Sequence, residues 1–334
     1  METCITVRDV AIVGRHNQYG LTRDADILRQ GLESIGIRTA AYDRRERALT
    51  DRLRRRKVAD LAVHLERIHP AWLGAANRHV LIPNQERFPK RHLGRLQRVD
   101  RVLAKTRHAR EIFAGLGVPS AYLGFTSPDR YDPAVPRDWG RFFHLAGGST
   151  LKGTEDILAL WSAHPEWPEL VLVQKQANAL ASAPPNVTLR CGYLDDDELR
   201  RLQNACGIHL CPSRSEGWGH NIVEAMSCGV VVMTTDAPPM NEHVAADCGV
   251  LVRASRSEPR HLGRQFFVDH HALEAAVERL VAEPPDAARS LGIKARERFE
   301  ELNRGFATQL RMVFDQVRAA ETAHQERDES CIRR

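Results

Sequence analysis

Residues 213–229 read SRSEGWGHNIVEAMSCG. The apolar run IHLCP at 208–212 leads in, glycines at 217 and 219 punctuate the middle, and the amphipathic NIVEAM leads out. Buried strand, glycine turn and helix in that order form one repeat of a parallel α/β unit. Gly217 and Gly219 let the backbone approach a bound molecule closely, because no side chain intervenes. The helix start that follows offers unpaired N–H groups and the positive end of a dipole, which suits a pyrophosphate. Glu216 sits on the turn, and Glu224 lies about one helical turn beyond Asn221, where a carboxylate could accept the two hydroxyls of a ribose. An isolated glutamate pair is more often a pair of solvated helix-end charges; the strand–turn–helix order weighs against that here.

Short β-branched runs alternate with longer amphipathic ones on both sides of this stretch, which predicts parallel α/β structure throughout. Strands are expected at 10–14, 38–42, 61–65, 79–83, 101–105 and 120–124, with helices around Asp24 to Ile35 and His108 to Leu116. SPDRYDPAVPRDWG at 127–140 is rich in Pro and Asp and reads as a connection between domains. The pattern then restarts, with strands expected at 142–147, 170–174, 187–191, 208–212, 230–235 and 250–254 and a helical tail from Leu273 to about Glu326. The expected division is a basic N-terminal Rossmann-like domain at 1–130, a linker at 131–140, a second Rossmann-like domain at 141–300, and a C-terminal helix and tail at 301–334. Two doubly wound halves of this kind are expected to face each other across a ligand cleft at the carboxyl ends of both sheets.

The net charge of +5 conceals an asymmetry: residues 1–130 hold 25 Lys and Arg against 14 Asp and Glu, and residues 131–334 hold 23 against 29. Halves of +11 and −6 suggest different partners. Seven cysteines at irregular spacing include no CxxC pair, and they read as reduced thiols rather than a disulfide or zinc framework. No apolar run reaches the roughly 18 to 20 residues of a membrane span. The N-terminal METCITVRDVAIVG lacks the plan of a signal peptide. A cytoplasmic protein with no transmembrane segment and no metal is the expectation.

Glu216 and Glu224, with seven residues between them, resemble the E-x7-E motif of retaining GT-B transferases of glycosyltransferase family four. The likeness covers roughly 142–255. It implies that Glu216 contacts the sugar of a nucleoside diphosphate sugar and that Glu224 holds the ribose. It also implies that the amides of Gly217, Trp218, Gly219, His220 and Asn221 bind diphosphate or sugar hydroxyls. In HLAGGSTLKGTEDIL at 144–158, Lys152 resembles the family's cation on the leaving diphosphate. The Arg that usually precedes it is absent, since that region reads Gly147, Gly148, Ser149. Backbone N–H groups with Ser149, or Arg15 or Arg23 from the first domain, are the candidate substitutes. In CGYLDDDELRRLQNACGIHLCPS at 191–213, the resemblance puts Tyr193 and Leu194 beside the nucleobase, while Asp195 to Asp197 read as a helix cap. GRHNQYGLTRDADIL resembles the family's donor-phosphate loop, with Gly14 and Gly20, but it is not a GxGxxG fingerprint and implies no dinucleotide cofactor. His64 is the candidate for the family's functional His, although a His in an apolar strand is as often a satisfied core residue. Glu66, His69, Asn84 and Glu86, also at strand ends, are weaker candidates for orienting an acceptor.

The resemblance implies a metal-independent, retaining hexosyltransferase using a UDP- or GDP-sugar such as UDP-glucose, with no cofactor. The acceptor is expected from the first domain, where the RLRRRK run, with Arg54, Arg55 and Arg56, suits an anionic partner. Such a run is most often a solvated helix face; as an anionic partner, nucleic acid, a phospholipid surface, or a phosphorylated glycan or metabolite fits, and DNA carrying hydroxymethylated bases is among them, since some phage transferases of this fold glucosylate such DNA. A phospholipid surface fits less well, because the segment 44–57 offers only Ala48, Leu49 and Leu53 as apolar residues. A sugar-nucleotide epimerase or hydrolase of the same fold, and a nucleic-acid-binding protein with a decayed sugar site, are the readings from other classes.

Overall fold

The computed structural model describes residues 9–15, 20–178, 182–192 and 194–332, without the side chains of Ala177 and of residues from 316 onward. The chain divides into two units, one running to Phe125 and resuming at Arg304, the other spanning Thr126–Asn303.

The first unit opens with β1 (Asp9–Gly14), α1 (Gly20–Ser34), β2 (Arg38–Asp43), α2 (Leu49–Leu53) and β3 (Leu61–Glu66). It continues with β4 (Arg78–Pro83), β5 (Arg101–Ala104), α3 (Arg107–Gly115) and β6 (Ser120–Tyr122). The strands form a parallel sheet in the order β2-β1-β3-β4-β5-β6. β1, β3 and β4 are buried almost without interruption, as strands covered on both faces must be. α1 buries Leu21, Ala25, Leu28 and Leu32, a three-and-four spacing that lays one stripe on the sheet. Thr106 caps α3 by accepting from the Ala109 amide at 3.1 Å. Beneath α1, Lys105 Nζ donates to Asp24 Oδ2 at 2.8 Å, and both side chains are buried.

The second unit contains β7 (Asp138–Gly147), α4 (Thr154–Ala163), β8 (Leu170–Gln174), β9 (Val187–Cys191), α5 (Asp196–Ala205) and β10 (Cys206–Cys211). After these come α6 (His220–Cys228), β11 (Val231–Asp236), β12 (Val250–Arg260), β13 (Gly263–Val268), α7 (His270–Ala282) and α8 (Pro285–Ile332), which from Arg304 onward belongs to the first unit. Sheet order is β13-β12-β11-β10-β7-β8-β9, parallel apart from the antiparallel β12–β13 pair. Phe142, Trp161, Trp167, Leu170, Ile208 and Val231 lie in its core.

Three features depart from the sequence reading. β13 was not expected, because beyond Ala254 the β12–β13 hairpin is largely exposed or half-buried and carries little apolar alternation. The expected linker at 131–140 is partly strand, since β7 begins at Asp138. Its remainder is fixed to the second unit: Arg137 donates to the carbonyls of Cys228 at 2.6 Å and Gly229 at 2.8 Å, and the Asp132 amide donates to Asn204. Just before it, the buried Arg130 donates from Nη1 to both carboxylate oxygens of Asp196 and from Nη2 to its carbonyl. The helical tail breaks at Pro284–Pro285, where α8 starts with Pro at its first position.

Cys191, Cys206, Cys211, Cys228 and Cys248 are free thiols. Burial pushes Cys206, Cys211 and Cys228 up to about 12. Among the described residues no helix is long and apolar enough to cross a membrane.

Candidate functional site

The site grows from the neighbouring strands β7 and β10, which pair in parallel and so deliver their following loops side by side. At the end of β7 Gly147 (φ 54°), and in the following loop Gly153 (φ 69°), take left-handed conformations that favour glycine. A Cβ on Gly153 would stand 2.4 Å from the Pro212 carbonyl oxygen, so the two loops touch only because residue 153 has no side chain. The Arg214 amide donates to the Leu151 carbonyl at 2.8 Å and fastens them together. Gly219, at φ 102°, ends the second loop as the N-cap of α6.

This joint places Lys152 Nζ 2.6 Å from Glu216 Oε1 and 2.6 Å from Asn221 Oδ1. The Lys152 and Glu216 side chains retain 16% and 11% of their exposure, enough for a ligand to reach them and little enough to limit water screening. The structure thus brings Lys152, from one stretch of sequence, to Glu216 and Asn221 from another. Asn221 differs from expectation in mode, since its side-chain oxygen, and not only its amide, faces the cluster.

Around this trio most polar groups are committed. Arg214 pairs with Glu155 at 2.7 Å and with Asp156 at 3.0 Å. Trp218 is buried, donates from Nε1 to Ser127 Oγ at 3.2 Å, and through its carbonyl accepts from His243 Nε2 at 2.6 Å. Its ring therefore holds the loop in place. His220 Nδ1 meets the same Ser127 hydroxyl at 2.8 Å. Burial pushes His243 down to about 4, so it remains a neutral donor to the loop. Glu224, 1% exposed, lies further along α6, where Gln203 Nε2 approaches Oε2 at 3.5 Å. Gly217 is buried in the turn.

Ser149 Oγ accepts from the Leu151 amide at 3.2 Å and so shapes its own turn. Gly148 is exposed, and a Cβ there would fall 2.8 Å from Cδ and 3.2 Å from Cε of Lys175. Lys175 follows β8, the other neighbour of β7, and its amide donates to the Gly147 carbonyl at 2.9 Å. The sequence reading missed this lysine, because a lone Lys after a strand has no motif and only sheet register brings it over Gly148. Leu194 packs its side chain on the cluster of Phe143, Val171 and Leu202. Asp195 caps α5, its Oδ1 accepting from the Glu198 amide at 2.7 Å. Tyr193 lies outside the described residues, as do residues 16–19 of the Gly14–Gly20 loop.

In the first unit, His64 corrects the expectation of a catalytic side chain. It is fully buried, its Nε2 lies 3.1 Å from Nδ1 of His79, and its Nδ1 accepts from the His69 amide at 3.2 Å. Burial, with His79 and His69 alongside, lowers its pKa well below the usual value. With both ring nitrogens engaged it is a core residue, because a general base must present a nitrogen to its substrate. His69 is likewise buried and pushed down to about 4. Glu66 is buried at φ 64° beside Arg67 at 3.2 Å, and Glu86 is buried with Arg87 3.9 Å away. Asn84 keeps a buried Oδ1 without a hydrogen-bond partner. Gly20 begins α1, while Arg15, Arg54, Arg55 and Arg56 are exposed and Arg23 half-buried.

Residues 173–298 match the family model described as glycosyl transferases group 1. Alpha-maltose-1-phosphate synthase of Mycolicibacterium smegmatis is 29% identical over 157 residues, 46% of this chain and 38% of that protein. The serotype-specific mannosyltransferase WbdA of Escherichia coli is 30% identical over 86 residues, 26% of this chain and 10% of that one. The matched chain thus spans only 38% and 10% of the length of these curated relatives. Among solved structures, sucrose-phosphate synthase from Thermosynechococcus elongatus superposes with a TM-score of 0.72 at 16% identity, covering 94% of this chain and 100% of that one. Anabaena HepE in complex with UDP and glucose gives 0.66 at 14% identity, covering 95% and 100%. Two Rossmann-like parallel sheets with helices, the GT-B fold, are common to them.

Proposed function

We propose that this protein is a retaining glycosyltransferase that moves a hexose from a nucleoside diphosphate sugar to an acceptor hydroxyl without a metal ion. The observation that carries the reading is the Lys152–Glu216–Asn221 cluster at the mouth of α6, inside or beside the matched segment. In the reaction the bond from the anomeric carbon to the diphosphate oxygen breaks, and a bond to the acceptor oxygen forms on the same face. The acceptor proton passes to the departing phosphate oxygen. Lys152 and the α6 amides after Gly219 take up the charge that develops on that oxygen. Glu216 orients the sugar, and Glu224 holds the ribose.

Charge balance assigns a further part. Lys152 sits against Glu216, so the pair presents little net positive charge to a diphosphate. Arg214 is spent on Glu155 and Asp156. Lys175, lying over Gly148 at the neighbouring strand end, supplies the second cation in place of the missing Arg. UDP-glucose is the favoured donor, because HepE has been solved with UDP-glucose; a GDP-sugar is the alternative. The exposed Arg54, Arg55 and Arg56 support an anionic acceptor, of which hydroxymethylated DNA is one form.

The test is nucleoside diphosphate release from a panel of UDP- and GDP-sugars, with and without EDTA and with and without hydroxymethylated duplex DNA. EDTA-resistant release with one donor, and an α-linked product from an α-linked donor, are expected. Full-rate release without any acceptor would point to a hydrolase or epimerase. No release and no binding with any donor would refute the transferase reading.

A further inference from the structure

We propose that the segment from Arg44 to Val58 is a docking surface for a bilayer containing anionic phospholipid. Leu49 is 64% exposed, Leu53 76% and Val58 38%. They are three of the chain's exposed large apolar residues, and they fall within one short stretch. Leu49 and Leu53 stand one turn apart on α2, so they share a face. The same segment holds eight basic residues, Arg44, Arg45, Arg47, Arg52, Arg54, Arg55, Arg56 and Lys57, against Glu46 and Asp51.

The stretch is held in shape. Arg47, buried, donates from Nη1 to the Ala71 carbonyl at 2.7 Å. Its Nη2 donates to the carbonyls of Asp51 at 3.3 Å and Arg56 at 3.0 Å, which ties both ends of the turn to one guanidinium. Trp72 Nε1 donates to the Arg44 carbonyl at 3.1 Å, and Lys57 Nζ to the Ala76 carbonyl at 2.6 Å. Two basic residues, Arg47 and Lys57, thus fasten the backbone, while Arg44, Arg45, Arg52, Arg54, Arg55 and Arg56 remain on the surface. Leucines presented on such a fixed platform mark an interaction site.

A ring of arginines around exposed leucines matches a leaflet with anionic headgroups over an apolar interior, and each basic residue near such a surface strengthens binding about fivefold. Nucleic acid answers to the charge alone. Single-strand binders stack bases on exposed aromatics, and this segment contains no aromatic residue. The sequence had counted against a lipid surface on the scarcity of apolar residues. Val58 and the exposure of both leucines reverse that count.

The test is sedimentation of the full chain with vesicles of phosphatidylcholine alone or equimolar with phosphatidylglycerol. Binding to the mixed vesicles only is expected, weakened at least about tenfold in a Leu49→Ser/Leu53→Ser double variant. Leu116→Ser, at another exposed apolar residue of the same unit, should bind as the parent does. Circular dichroism confirms that the variants are folded. Failure to bind mixed vesicles would overturn the proposal. So would a leucine pair that can be replaced without effect. Duplex DNA binding that depends on Arg54, Arg55 and Arg56 but not on the leucines, with no vesicle binding, would assign the surface to nucleic acid instead. None of these outcomes depends on sugar transfer, which the donor panel measures separately.

Discussion

Lys152 Nζ and Glu216 Oε1 lie 2.6 Å apart, although 64 positions separate them in the chain. The pair exists because a glycine at 153 lets two loops meet at the carboxyl ends of β7 and β10. A diphosphate approaching Lys152 meets a cation and an anion together, so the two variants separate in opposite directions. Lys152→Met should weaken UDP or GDP binding and lower turnover on the order of 10²-fold or more. Glu216→Gln removes the competing negative charge, so nucleoside diphosphate should bind several-fold tighter while sugar transfer falls. Calorimetry and initial rates read both. Equal weakening of diphosphate binding by the two changes would contradict the assigned roles.

Lys175 should behave as a diphosphate ligand. Lys175→Met is expected to weaken UDP about tenfold and to leave uridine unchanged, with Lys175→Arg restoring most of the loss. Gly148→Ala should give a milder version of the same effect, because its Cβ would displace Cδ of Lys175. Equal losses for nucleoside and nucleotide would mean that the site had merely been disturbed.

Gly292 and Gly305 lie on the same helix, α8, and should respond oppositely to alanine. Alanine in a helix interior is about 1 kcal/mol better than glycine. At Gly305 nothing lies within 4 Å of the added Cβ, so Gly305→Ala should stabilise by about that amount. At Gly292 the Cβ would stand 2.4 Å from the Gly229 carbonyl oxygen, which is backbone and cannot move aside cheaply. There the clash should outweigh the helix gain and cost about 2 kcal/mol net. Urea denaturation of both variants checks the signs.

Stability should fall as the medium is acidified. Burial pushes His69, His144 and His243 down to about 4 and His209 to about 3. Well above the ordinary histidine value of about 6.5 these rings are neutral in both states and contribute no pH dependence. Between about 6.5 and 4 the unfolded chain takes up protons that the folded one refuses, so the unfolding free energy drops with pH. Denaturation midpoints measured at pH 8, 6.5 and 5 should decline slightly over the first interval, where the unfolded histidines reach half protonation, and steeply over the second. A midpoint unchanged down to pH 5 would mean that these histidines are not held neutral.

The sequence by itself determined the α/β class and the twelve strand positions it named. Buried parallel strands must be continuous apolar runs, and glycine turns before helices are local chemistry. Glu216 and Lys152 stand out as candidates for the same reason, since each sits on a loop whose glycines mark it, and Asn221 because it opens the helix that follows Gly219. Only the tertiary structure decided what those residues face. Sheet order brought the loop after β7 between those after β8 and β10, which made Lys175 a neighbour of Gly148 and Asn221 a partner of Lys152. It also sank His64 into a histidine cluster, turned Leu194 toward the sheet, and left Leu49 and Leu53 in the open. Apolar periodicity shows that a residue has a buried side available, but which neighbour covers it is set by strand order and loop contact between distant parts of the chain.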